Sequence, residues 1–307
     1  MSQEISRSVV ASIRQRLLNR ARERGEDFNF VLTMYGIERF AYRLSKSDHA
    51  DRFYLKGAIL FLAWTGEYYR PTRDIDLLSL GLSDVPGVVA AVRAVCRVPC
   101  PEDGVAFLDD SIRGEEIREV GAYPGVRIHL MAKLGVARIP LQIDIGLGNA
   151  VVPGPTKERL PSMLDLPTPV LKAYPPEAMI AEKYEAMVDL GLMNSRMNDF
   201  YDIWILCTEY QFRGVTLCEA IRATFGRRGT ALPRPDPVAL TSEFYNDVEK
   251  QKQWRAFLLK GGFKRVEQQL ESVIGRVRVF LIPPTQALVH GKDFKMIWEP
   301  PGPWQLV

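Results

Sequence analysis

The stretch Phe53 to Leu80, FYLKGAILFLAWTGEYYRPTRDIDLLSL, limits what this chain can become more than any other. It holds a glycine turn at Gly57, a short apolar helix, and then a strand with acids at Asp74 and Asp76. Side chains at i and i+2 of a strand share a face, so the two acids aim together while Ile75 and Leu77 turn toward a core. At roughly 7 Å apart, two such carboxylates repel by about 2 kcal/mol at an effective dielectric of about 20. A bound cation removes that cost. Oxygen donors favour a hard ion, and Mg2+ takes one or two carboxylates together with substrate phosphates and waters. The stretch therefore predicts a site for Mg2+ and a nucleotide.

Gly57 lies seventeen positions before Asp74. Glycine lets the backbone approach a ligand closely, and the amides that open the helix at Gly57 and Ala58 carry partial positive charge. Lys56, Arg70 and Arg73 add full charges nearby. A glycine-opened helix followed by a D-x-D strand resembles the nucleotidyltransferase (polymerase beta-like) signature, G-[GS] and then D-x-[DE]. Gly57-Ala58 departs from it, which leaves backbone contacts without a hydroxyl. Taken alone, D-I-D also reads as a solvated strand end.

With 307 residues, 47% of them hydrophobic, the chain can bury one large core or two modest ones. Two domains are expected, a nucleotidyltransferase domain with N-terminal helices over 1–160 and a mostly helical one over 161–307. A net charge of +3 permits a nucleic-acid partner without requiring one. Cys96, Cys100, Cys207 and Cys218 form no C-x-x-C pair, and His49, His129 and His290 show no zinc spacing. The apolar run Ala58 to Trp64 is far short of the roughly 20 residues that span a bilayer, and the N-terminus lacks a signal-peptide core. The expectation is a soluble, cytoplasmic protein with reduced thiols and no membrane partner.

Along the chain, Ile5, Val9, Ile13, Leu17 and Ala21 recur at steps of four, which predicts an amphipathic helix over residues 2–24. Its arginines, Arg16 and Arg20 among them, read as a solvated face or as contacts to RNA phosphates. A second helix is expected from about Phe28 to Leu44, and another from Pro86 through Val95. Short edge strands and loops fill Pro101 to Glu119. Val126 to Ile145 reads as a hairpin turning near Leu134-Gly135. In its second arm Asp144 and Gln142 share a face, and Asp144 becomes a candidate third carboxylate for the metal. Seven prolines between Val152 and Pro176 exclude a long helix and mark an extended crossing between domains.

Pro176-Glu177 then opens a helix. Within it Lys183 has Met179, Ile180, Ala186 and Met187 at helical spacing, so a lysine sits on an apolar stripe. Either it snorkels past the methionines to water, or it reaches nucleotide phosphates across the domain cleft. The next helix carries Asp199 and Asp202 on one face, as caps or as functional acids. A stripe of Val266, Leu270, Val273, Val277 and Phe280 leads up to Pro283-Pro284, and the aromatic tail after His290 reads as extended.

Together, Lys56-Gly57, Asp74-x-Asp76, Asp144, the AEKYEAM helix with Lys183, and NSRMNDFYDIW resemble the AbiEii/AbiGii toxin family of nucleotidyltransferases. The likeness runs in order over roughly residues 16–210. It implies an α+β fold, with a mixed sheet flanked by helices in the N-terminal domain and a helical C-terminal domain that contributes Lys183 and Asp199 to the cleft. It implies a toxin of a bacterial toxin–antitoxin system with an antitoxin encoded nearby, transferring NMP from NTP to the 3′ acceptor end of tRNA and so stopping translation. By the same resemblance Asp74 and Asp76 hold Mg2+, Lys183 binds the triphosphate and Asp199 is the essential acid. Lys56 and Arg73 are added as nucleotide-binding groups on charge and proximity. The proton of the attacking hydroxyl is assigned to Asp144, Asp199 or Asp76. Thr72, two residues before Asp74, is a candidate for regulation, since a phosphate there would set about two negative charges beside the acids. The competing readings are a transferase acting on a small molecule or a protein hydroxyl, and a binding module with a decayed site.

Overall fold

The computed structural model describes residues 6–118, 124–148 and 151–306. Ile5 and Glu119 therefore lie outside the described residues. The chain divides into two compact units, one of Met1–Tyr68, Thr72–Ala150 and Thr156–Ala173, the other of Tyr69–Pro71, Val151–Pro155 and Tyr174–Val307.

The first unit opens with helices α1 (Arg7–Arg24) and α2 (Phe28–Lys46). Ile13, Leu17 and Ala21 of the α1 stripe are buried. Asp27 caps α2 by accepting from the Phe30 amide at 2.9 Å. Then follow β1 (Phe53–Lys56), α3 (Ile59–Thr65), β2 (Asp74–Leu80), α4 (Val85–Cys96), β3 (Val105–Phe107), β4 (Arg113–Arg118), β5 (Pro124–Leu134), β6 (Ala137–Gly148), β7 (Thr156–Arg159) and β8 (Val170–Ala173). Among the described residues these strands form one mixed sheet in the order β3-β5-β6-β2-β1-β8-β7, with β4 also on β5. β2 runs parallel to β6, and β1 parallel to β8. The fold is α+β, as the resemblance implies.

The β5–β6 hairpin turns on two residues, Gly135 and Val136. Gly135 takes φ 61°, the glycine-first pattern of a tight hairpin turn. The first compact unit takes in Thr156–Ala173, because β8 joins the sheet through Leu55 and Ala173. The proline run is therefore not one extended crossing: β7 and β8 pair within it, and its loop is gripped from the helices. Glu38 accepts from the Met163 amide at 2.8 Å and from Ser162 Oγ at 3.0 Å, and Arg39 donates to the Pro167 carbonyl at 3.0 Å. Arg16 and Arg20 donate to the carbonyls of Leu164 and Met163, which gives those two arginines a structural use.

The second unit contains α5 (Pro176–Leu190), α6 (Met197–Glu209), β9 (Phe212–Arg213), α7 (Gly214–Arg228), α8 (Ser242–Tyr245), α9 (Val248–Leu258), α10 (Leu270–Val289), β10 (Met296–Trp298) and β11 (Trp304–Leu306). Contrary to expectation, α10 does not stop at Pro283-Pro284 but runs through them. A proline removes the amide that would bond the carbonyl four residues back, so Pro284 frees the carbonyl of Phe280. The Trp304 indole donates to that oxygen at 2.9 Å, and its ring stacks on Phe280 with centroids 5.5 Å apart. Trp298 donates to the Cys207 carbonyl at 2.6 Å. The aromatic tail is thus a seal on the helices of this unit.

Trp304→Phe keeps an aromatic ring, though a smaller one, and removes the indole donor, which leaves a buried carbonyl without its partner. Urea unfolding should show a loss of about 1–3 kcal/mol. In a Pro284→Ala background, where the helix amide is restored, the same change should cost clearly less.

Candidate active site

Ile75 and Leu77 of β2 are each 1% exposed, which turns Asp74 and Asp76 to the opposite, half-buried face. The strand register then lays a row of charge across that face. Lys56 of β1 stands opposite Asp76, Asp76 opposite Asp144 of β6, and Asp144 opposite Arg127 of β5. Residues in register project to the same side of a sheet, so the order is cation, acid, acid, cation. Asp74 lies one pleat away, opposite Gln142.

Each acid is held differently. Thr72 Oγ1 donates to Asp74 Oδ1 at 2.6 Å, and Thr72 is itself buried. Asp76 lies against Gly57, where a Cβ would stand 1.9 Å from Asp76 Oδ2. Gly57 also takes φ 77°, so both space and backbone require glycine here. Ala58 is buried and precedes the two-turn α3 without a side-chain cap bond.

Asp144 is the candidate third carboxylate. It does stand beside Asp76, but both oxygens are taken in a fork: Arg127 Nε donates to Oδ1 at 2.8 Å and Nη2 to Oδ2 at 2.7 Å. Gln142 adds a bond to Oδ2 at 3.1 Å. Among the described residues no three His, Cys, Asp or Glu side chains are arranged to hold a metal ion. Arg127 was missed in the sequence, although a two-residue turn at Gly135-Val136 puts it directly across from Asp144. Arg73 lines a cavity of about 510 Å3 with Asp27, Thr33 and Arg138.

The donor chemistry fits Mg2+. Asp74 and Asp76 are a pair of oxygen donors on one face, and one or two carboxylates plus phosphates and water suffice for this ion.

In the second unit, Lys183 does not snorkel to water. Its Nζ donates to Asp199 Oδ1 at 2.6 Å and lies 3.0 Å from Asp202 Oδ2. Asp202 is fully buried and receives Arg70 in a fork, Nε to Oδ1 at 2.7 Å and Nη2 to Oδ2 at 2.9 Å. Arg70, expected near the phosphates, is thus committed to an acid. The spacing of three residues from Asp199 to Asp202 on α6 lets both carboxylates meet one ammonium. Burial pushes the Asp202 carboxyl up, but Arg70 and Lys183 outweigh it and hold the group below its ordinary value. Burial pulls Lys183 down, and Asp199 and Asp202 outweigh that and raise it.

An α+β unit that presents paired acids beside a glycine turn is the arrangement of a nucleotidyltransferase. The chain belongs to the family of nucleotidyl transferase AbiEii toxins of type IV toxin–antitoxin (TA) systems, whose model matches residues 39–275. Such a family implies an NTP substrate and an antitoxin partner. No curated protein matches. Two crystal structures from Helicobacter pylori are similar. One, of a candidate nucleotidyltransferase, has 12% identity and a TM-score of 0.45, covering 87% of this chain and 97% of its own. The other, of JHP933, has 11% identity and a TM-score of 0.41, covering 94% and 100%. Among the described residues no helix is long and apolar enough to cross a membrane.

Two outcomes follow from the geometry. Gly57→Ala should displace the Asp76 carboxylate and reduce nucleotidyl transfer by roughly 100-fold or more while the fold persists, measured as initial rate beside circular dichroism. Asp202 has its folded pKa below the unfolded value of about 3.9, so its contribution is complete above that pH and is lost as pH falls through the folded value. Asp202→Asn should therefore be less stable at pH 7 by roughly 3–5 kcal/mol and show a shallower loss of stability in acid, measured by denaturant unfolding between pH 7 and 3.

Proposed function

We propose that this toxin transfers NMP from an NTP to the 3′ acceptor end of tRNA in a Mg2+-dependent reaction, which blocks aminoacylation and translation. The observation that supports it most is the row Lys56, Asp76, Asp144, Arg127 beside Asp74, in a chain of a nucleotidyltransferase toxin family. Asp74 and Asp76 would hold the ion. When bound, Mg2+ supplies positive charge to the phosphoryl oxygens of the substrate. Thr72 keeps Asp74 oriented, and the backbone at Gly57 leaves room for Asp76. Lys56, in register with Asp76, adds a cation for the phosphates.

A ribose hydroxyl oxygen of the tRNA end attacks the α-phosphorus in line. The new P–O bond forms as the bond to the β-phosphate oxygen breaks, and pyrophosphate leaves. The hydroxyl proton passes to a carboxylate. Asp76 and Asp199 are the proposed acceptors, with Asp144 held in the Arg127 fork beside Asp76. Lys183, kept cationic by Asp199 and Asp202, is proposed to offset charge on the triphosphate. Phosphorylation of Thr72 would remove its bond to Asp74 and place about two negative charges there, which should silence transfer.

Purified protein incubated with Mg2+, total bacterial tRNA and each α-labelled NTP in turn tests this reading. Label should appear on tRNA from one or two NTPs and fall by roughly 100-fold or more with Asp74→Ala. Label on protein or on a small molecule would move the acceptor. No label, with NTP binding undiminished in Asp74→Ala, would make the chain a binding module.

A further inference from the structure

Next to the Lys183 cluster, within the second unit, is a cavity of about 330 Å3 that no step above uses. It shares two walls with the cluster: Arg70, which grips Asp202, and Asn198, whose Nδ2 donates to Asp199 Oδ1 at 3.3 Å. Phe257 and Phe263 supply aromatic walls, their centroids 4.9 Å apart at an interplanar angle of 67°. Gln253 adds a second carboxamide, and Lys260 a cation whose Nζ lies 6.0 Å from the Phe257 ring centre.

The loop that carries Phe263 is anchored. The Lys264 amide donates to the Tyr69 carbonyl at 3.1 Å, and the Tyr201 hydroxyl lies 2.9 Å from the carbonyl oxygens of both Tyr69 and Arg265, between which its one proton is shared. Phe263 also packs on Tyr201 at 5.1 Å between centroids. The cavity is therefore preformed on the same 69–71 segment that supplies Arg70.

These walls select a class of ligand. Asn198 gives its Nδ2 to Asp199 and Gln253 accepts from Lys250 Nζ at 3.4 Å, and an apolar molecule would still cut the remaining donor or acceptor capacity of each carboxamide off from water, at a cost for each. A flat heteroaromatic ring satisfies all of them: its faces stack on aromatic side chains, and its edge offers donors and acceptors in one plane that a carboxamide can match. The Lys260 ammonium on the rim suits a phosphate attached to such a ring, while Arg70 is held by Asp202.

We propose that this cavity binds the base of a nucleotide, with Phe263 as stacking partner and Gln253 and Asn198 as readers of the base edge, so that nucleotide choice resides in the second unit. The proposal rests on the nucleotidyltransferase reading for its substrate class. The same chemistry is presented by the base of an NTP and by the terminal base of an RNA strand.

Equilibrium binding of the four NTPs and of a single-stranded RNA hexamer to the full chain, wild type against Gln253→Leu, Phe263→Ala and Asp74→Ala, tests it. Phe263→Ala should weaken binding by roughly tenfold. Gln253→Leu should flatten the order of preference among the NTPs, or among hexamers differing in the last base, whereas Asp74→Ala, which removes a proposed metal ligand, should weaken the four NTPs together without reordering them. Shifts confined to NTPs assign the cavity to the incoming nucleotide, and shifts confined to RNA assign it to the strand end. Should Phe263→Ala fail to fold, Gln253→Leu decides. Wild-type affinity and preference in both cavity variants would overturn the proposal, and label transfer that persists with unchanged selectivity would show that the transferase reading survives it. Shifted binding in a wild-type chain that transfers no label would leave the cavity standing and remove the transferase.

Discussion

Two like charges placed directly across from each other on parallel strands are the constraint on which the first unit turns. Asp76 and Asp144 are in register, and side chains so paired sit roughly 5 Å apart, where two carboxylates repel by about 3 kcal/mol at an effective dielectric of about 20. The fold does not avoid this pairing; it flanks it. Arg127 takes Asp144 in a two-bond fork, and Lys56 stands in register on the far side of Asp76. Asp74 and Asp76, on one face of β2, are the proposed metal-holding pair, and a hard cation suits them.

Much of this was legible in the chain. Alternation along DIDLLSL is enough to put Asp74 and Asp76 on one side and Ile75 and Leu77 in the core, and the burial pattern agrees. Gly57 was readable as a close-approach residue, although its neighbour in that approach proved to be Asp76 itself. What local pattern could not supply was pairing across the sheet. Arg127 and Asp144 are seventeen residues apart, and their union depends on the length of the turn between them. The β8 strand was hidden for the same reason, since its partner β1 lies more than a hundred residues earlier.

In the second unit the sequence flagged a lysine among methionines and two acids on one helix face, without the bonds that join them. Arg70 completes that group from a segment well before it in the chain, so two cations and two carboxylates form a balanced, largely buried set. Breaking such a set exposes the cost of burying the partners that remain. The prolines of α10 misled for a different reason. Proline ends a helix when the carbonyl it frees has no other donor, and here Trp304 provides one from the tail.

The central claim is that Asp74 and Asp76, on the face shaped by Gly57, hold a divalent ion together with a nucleotide. Electron paramagnetic resonance titration of Mn2+ in the presence of NTP tests it most directly, because it reads metal binding without turnover. The account predicts nucleotide-dependent Mn2+ binding by the wild-type chain and its loss in Asp74→Asn with Asp76→Asn. Undiminished Mn2+ binding in that double variant would contradict it.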